Sequence, residues 1–270
     1  MDALRIEGPT RHAAAFAAGG LVGVLGGLVG LGGAEFRLPL LLVVFGVLAL
    51  QAVILNKAMS LVVVASALVS RSGSVPLGEV AGHWTIVVNL LAGSVIGAWL
   101  AAGWATQWNP LTLQRVSAAL LVLIAMVLLV LLVAHDSGDR RPALAGAWLV
   151  AAGVAAGLLI GAVASLLGVA GGELLIPTLV LLFGLEIKLA GSLSLAVSMP
   201  TMLVGFARYS RDRSFAVLSA NRAFVLTMAA GSVLGAAIGG FWLGAVSSSV
   251  LLPSRAAILL VSAFKTWRHA

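Results

Sequence analysis

Residues Gly30–Pro39 read GLGGAEFRLP, and residues Gly168–Pro177 read GVAGGELLIP. Each stretch sets a glycine cluster ahead of a glutamate (Glu35, Glu173), with a proline (Pro39, Pro177) four residues further on. Each lies in long apolar surroundings. Glycine permits backbone conformations that break a helix, and it lets another backbone or a ligand come close. Proline is tolerated in the first turn of a helix, where N–H groups lack intrahelical partners. The stretches are expected to form a helix, a break and a new helix start that carries the proline early.

The surroundings decide the class. Only 9% of the 270 residues are charged and 61% are hydrophobic. A soluble domain carries roughly 25% charged residues, so a water-facing surface cannot be built from this chain. Apolar runs such as 111–134 and 143–167 exceed the roughly 18 residues that signal a membrane-spanning helix. Lipid-embedded backbone must satisfy its own hydrogen bonds, so continuous spans of this length are helices. The fold class is an all-α polytopic membrane protein. The absence of cysteine excludes disulfides and thiolate metal sites. The four histidines (His12, His83, His135, His269) fall at span edges or termini and form no cluster. No cofactor or metal is implied. The net charge of +7 reads as loop Lys and Arg that set membrane orientation rather than as a nucleic-acid surface.

The two glycine stretches belong to a longer repeat. Their glutamates differ by 138 positions (173 − 35 = 138), as do their prolines. The same offset pairs Gly23 with Gly161, Phe45–Gly46 with Phe183–Gly184, Ser60 with Ser198, GSVIGA (93–98) with GSVLGA (231–236), and Trp104 with Trp242. The chain therefore divides into repeat 1 (1–134), a cytoplasmic linker (135–142, HDSGDRR and Pro142) and repeat 2 (143–270). Duplicated halves characterise secondary transporters, which place substrate at the repeat interface. Each half holds four long segments (13–31, 52–70, 84–104, 112–134; 143–168, 189–207, 222–246, 250–264). Each also holds one short one (35–48; 173–185). At about 1.5 Å per residue the short segments reach only part of the way across the hydrocarbon, so they are expected to be half-helices or re-entrant elements. Counting only the long segments gives eight spans with both termini cytoplasmic. Arg5, Arg11, Arg71, Arg140, Arg141, Arg208, Arg211, Arg213, Lys265 and Arg268 then all lie inside. An even number of crossings makes the repeats parallel, and an odd number inverts them. Lys57 and Lys188 fit this scheme least well, since it puts them near the outer side.

A helix N-terminus inside the membrane offers N–H groups and a positive dipole end to an anion. Gly32, Gly33, Gly171 and Gly172 are accordingly candidate substrate contacts. The alternative is that small residues only let spans pack closely, and that alternative is preferred for scattered glycines such as Gly93 and Gly97. Glu35 and Glu173 have two open readings. They are first-turn anions that suit the helix dipole, or protonatable groups that couple transport to a proton gradient. Arg37 is a candidate anion contact, because a guanidinium matches oxyanions. Its counterpart at the repeat offset is Leu175, and snorkelling to the interface is the alternative. In the following span Asn56, Ser60 and Ser66, and in the second half Ser192, Ser194 and Ser198, supply amide and hydroxyl donors. Asn56, Ser60, Ser194 and Ser198 are the favoured contacts among them. Serines in helices also bond to their own carbonyls. Arg208, Arg211 and Arg213 form a basic loop suited to lipid headgroups. Tryptophans fall near span ends as an interfacial belt would, with Trp99 the exception.

The residues GLVGLGGAEFRLPLL (27–41), LLGVAGGELLIPTLVLLFG (166–184) and AGSLSLAVSMPTMLVGFARYSR (190–211) resemble the TauE/SafE sulfite exporter family, also called the toluene sulfonate uptake permease family. The resemblance runs from about residue 13 to 264. Ala34 and Ala170 interrupt what would be three consecutive glycines. The resemblance implies a bacterial inner-membrane transporter of small anions such as sulfite or organosulfonates, most simply an exporter. Uptake of a sulfur-containing or carboxylate anion, or passive anion conduction, are the alternatives. The partners expected are a small anionic substrate and membrane lipid, and no nucleic acid. No metal-ligand cluster, nucleophile–base pair or cofactor fingerprint suggests an enzyme.

Overall fold

The computed structural model describes residues 8–29, 33–71, 77–134, 144–242, 260–261 and 263–268. Gly32, the linker 135–142 and most of the expected last span (250–264) lie outside the described residues. Those described form helices and short turns. The long helices are α1 (Pro9–Val29), α3 (Ala49–Arg71), α5 (Trp84–Ala105), α6 (Pro110–Ala134), α7 (Gly146–Leu167), α9 (Ile187–Tyr209) and α11 (Arg222–Trp242). The short ones are α2 (Ala34–Pro39), α4 (Leu77–Gly82), α8 (Gly172–Leu181) and α10 (Ala216–Ala220). Among the described residues, six helices are long and apolar enough to cross a membrane, and α8 is a shorter apolar helix.

Glycine faces set the packing. A Cβ on Gly19 or Gly23 of α1 would strike the carbonyl of Met228 or Ser232 of α11, and one on Gly231 or Gly235 of α11 would strike Phe16 or Gly20. The second pair repeats the pattern. Gly93 and Gly97 of α5 lie against the carbonyls of Val154 and Leu158 of α7, and Gly157 and Gly161 of α7 against Leu90 and Ser94 of α5. Only small residues let helix backbones approach this closely in a membrane. The packing role expected for Gly93 and Gly97 is thus what the structure shows. In both pairs contact positions rise together along the two helices, so α1 runs parallel to α11 and α5 parallel to α7.

Other contacts fix the remaining directions. Ser94 meets Thr201 at 2.7 Å, and Gly103 lies against Arg208, so α9 runs parallel to α5. Lys57 of α3 sits beside Gly205, whereas Leu61 and Val64 pack with Leu195, Met199 and Met202, so α3 runs antiparallel to α9. Phe45, just ahead of α3, stacks edge-on at 5.0 Å with Phe224 near the start of α11. Helices α1, α3 and α11 therefore rise from one end of the bundle, and α5, α7 and α9 descend toward it.

This corrects the expected topology. The eight-span scheme sends the chain in opposite directions through α7 and α9, yet both descend. The chain must return between them, and α8 makes the return, ending with the Phe183 ring against Gly153 near the start of α7. Charge counting missed this, because it weighs only which loops share a side.

The short elements also start differently from the expectation. Gly33 (φ 67°) and Gly171 (φ 79°) are left-handed and directly precede α2 and α8. With the helices starting there, Pro39 is the last residue of α2 and Pro177 is the sixth of α8, so neither lies in the first turn. Proline supplies no N–H to the carbonyl four residues back, which in each case is that of the glutamate. After Pro39 the chain widens into a π-helix, Leu40–Val44, as helices do where the regular ladder is interrupted.

Candidate functional site

Every residue of α2 is buried. Gly33 turns the chain so tightly against α1 that a Cβ there would strike the Val22 carbonyl. This places Arg37 inside the bundle, fully buried, and rules out its snorkelling to the interface. Its Nη1 donates to Asn56 Oδ1 at 3.4 Å and to Ser60 Oγ at 3.3 Å, both on α3. Its Nη2 donates to Ser232 Oγ of α11 at 3.3 Å. The Nε–H is buried with no acceptor among the described residues.

The acceptors around Arg37 are oriented by their own bonds. Asn56 Nδ2 donates to the Ala34 carbonyl at 3.0 Å and to the Leu167 carbonyl at 2.9 Å, which turns its oxygen toward the guanidinium. Ser60 donates to the Gly168 carbonyl at 3.3 Å and Ser232 to Met228 at 2.9 Å, leaving their oxygens to accept from Arg37. One asparagine therefore joins the start of α2 to the end of α7. Glu35 is also fully buried, close enough for its carboxylate to act on the Arg37 charge.

The second half places its counterparts in another way. Gly171 and Gly172 open α8, Glu173 is buried in its first turn, and Leu175 stands where the first half has Arg37. Ser194, at the offset of Asn56, bonds back to Gly191 within α9 at 2.8 Å. Ser198, at the offset of Ser60, is buried and its hydroxyl has no hydrogen-bond partner among the described residues; the same holds for Ser192. Ser66 bonds to its own helix at Val62. The structure thus gathers Arg37, Asn56 and Ser60, with Glu35 alongside. It does not bring Ser194 into a shared hydrogen-bonded group with them.

Two features escaped the sequence reading. Ser232 stands in the sequence only as part of the repeat match GSVLGA (231–236). Lys57, expected near the outer side, is 1% exposed among α3, α7 and α9. Its Nζ donates to Ser165 Oγ at 3.3 Å and lies 5.9 Å from the centre of the Tyr209 ring. A lysine set between Asn56 and Ser60 was the available signal. Trp99, the tryptophan that did not fit the belt, takes the guanidiniums of Arg208 (5.4 Å) and Arg211 (5.0 Å) over its ring.

Apolar helices long enough to span, packed around buried polar groups, make this a multi-pass membrane protein. The family described as sulfite exporter TauE/SafE matches residues 14–266, and the chain belongs to that family. Its members are membrane transporters of sulfite- and sulfonate-type anions. Comparison with curated proteins and with solved structures finds no match.

Proposed function

We propose that this protein is a secondary transporter that exports a small oxyanion, sulfite or an organosulfonate, across the bacterial inner membrane. The observation that carries this reading is the Arg37 guanidinium, buried among the neutral groups Asn56, Ser60 and Ser232 from two other helices. Even with the Glu35 carboxylate nearby, the Nε–H is left without an acceptor among the described residues, and an oxyanion there supplies one. Glu35 and Glu173 are the candidate proton carriers. Gly33, Gly171 and Gly172 open the backbone beside them.

We read the architecture as two inverted halves of five crossings, residues 1–134 and 143–270, with α2 and α8 as the short members. Support comes from the glycine contacts, since each α1–α11 contact recurs between α7 and α5 at the 138-residue offset. Arg11, Arg208, Arg211, Arg213, Arg222, Lys265 and Arg268 fall at the end where α1 starts, against Arg71, Arg140 and Arg141 at the other, and this excess supports reading the α1 end as cytoplasmic, with the 135–142 linker moved to the outer side.

The test is sulfite flux from proteoliposomes loaded with the purified protein. Wild type should move sulfite, and Arg37→Gln should lower the rate by roughly tenfold or more, as loss of a charge-assisted contact predicts. Glu173→Gln should remove the response to an imposed pH gradient. Equal flux in wild-type and protein-free vesicles, across sulfite and small sulfonates, defeats the proposal. Flux unaffected by any pH gradient turns it toward a passive channel.

A further inference from the structure

Lys57 has no place in the site so far described. Its ammonium has three N–H donors. One meets Ser165 Oγ, which itself donates to the Ala98 carbonyl at 3.0 Å. The rest of the surroundings are the Tyr209 ring and the bare backbone of Gly205, where a Cβ would lie 2.9 Å from Nζ. No carboxylate pairs with Lys57 among the described residues.

A helix-capping role does not account for it. The negative end of α7 offsets part of the cost of a cation there, but four of the carbonyls at that end already have donors. Asn56 serves Leu167, Ser60 serves Gly168, Tyr209 serves Ser165, and the Val169 amide serves Ala164. Nor does packing require a lysine. The residue at the offset of Lys57 is Leu195, just as Leu175 stands at the offset of Arg37. Both cations are additions to a scaffold that accepts leucine at the same places in its other half.

Their positions along the bundle differ. Arg37 bonds to Ser232, midway along α11. Lys57 lies beside Gly205 and Tyr209, the latter being the last residue of α9, toward the end where Arg208 and Arg211 gather on Trp99. The missing side chain of Gly205 is what lets the ammonium and Ser165 Oγ lie directly against the α9 backbone.

We infer that the Lys57 ammonium is a second subsite for the transported oxyanion, set between the Arg37 group and the arginine-bearing end of the bundle. This rests on the reading of Arg37 as an anion contact. An ion passing between Arg37 and that end would exchange one buried cation for the next and need not enter bare hydrocarbon. Ser165 Oγ holds the ammonium in place, and the ammonium's two remaining N–H donors are those offered to the ion.

Equilibrium binding of radiolabelled sulfite to purified protein tests the assignment. Wild type should bind about two ions per chain at saturation, while Lys57→Leu and Arg37→Gln should each bind about one, with Lys57→Arg restoring the second. Lys57→Leu should also slow flux about tenfold while the remaining ion keeps its affinity. Lys57→Met, checked for a monodisperse elution profile, covers the case in which the leucine variant fails to fold. If wild type binds a single ion that Arg37→Gln removes and Lys57→Leu does not, the subsite is overturned and the Arg37 reading stands. If wild type binds none, both fall.

Discussion

Asn56 and Ser194 occupy the same place in the two halves, yet their bonds differ, and replacing each by alanine separates wiring from position. Asn56→Ala removes two donors from buried carbonyls, those of Ala34 and Leu167, and one acceptor from Arg37. A neutral hydrogen bond contributes about 1 kcal/mol, and bonds between membrane helices average about 0.6 and reach about 1.7. Three lost partners, two of them leaving carbonyls unsatisfied in an apolar interior, sum to roughly 2–4 kcal/mol. Ser194→Ala removes one bond to its own helix, at Gly191, and should cost below about 0.5 kcal/mol. Reversible unfolding in mixed micelles, followed by circular dichroism, gives both values on one scale. Sulfite affinity should fall with Asn56→Ala, because the same side chain orients the guanidinium, and should hold in Ser194→Ala. Equal losses in the two variants, or an Asn56→Ala protein as stable as wild type, would refute the view that this asparagine ties α2 to α7.

The glycine faces give a second prediction. Gly97→Ala and Gly235→Ala each push a methyl into a partner carbonyl and should destabilise by about 1–3 kcal/mol. Gly78→Ala and Gly82→Ala meet open space and should be neutral or stabilising by up to about 1 kcal/mol, read from the same unfolding midpoints. Tyr209→Phe keeps the buried ring and loses only the bond to the Ser165 carbonyl, a cost of about 1 kcal/mol by the same measurement.

Much of this fold was legible because its signals are local. The α5 and α7 boundaries follow from apolar length and lie within a few residues of the expected spans. Gly33 and Gly171 mark breaks because left-handed backbone suits glycine. What local signals cannot carry is direction. Whether α8 brings the chain back depends on where Phe183 and Tyr209 land relative to α7, and those contacts span dozens of residues. The candidate site divides in the same way. Arg37, Asn56 and Ser60 stood out as polar residues in apolar helices. Ser232 did not, because only folding brings α11 to α2, and Lys57 was misplaced because the assumed topology put its helix the wrong way up. The 138-residue offset also over-predicted symmetry, since Ser194 takes the position of Asn56 without its partners.

The exchange of partners between halves bears on how the protein is made. Helices α1 and α5 belong to the first half of the chain, but their glycine faces close on α11 and α7 of the second. While the first 134 residues are being inserted, those two faces have only lipid or the insertion machinery to meet. They dock once residues 146–242 arrive. A gene cut within the 135–142 linker should therefore yield two fragments that are short-lived when made separately and stable when made together. On this view the two glycine seams close only after the second half of the chain has been made.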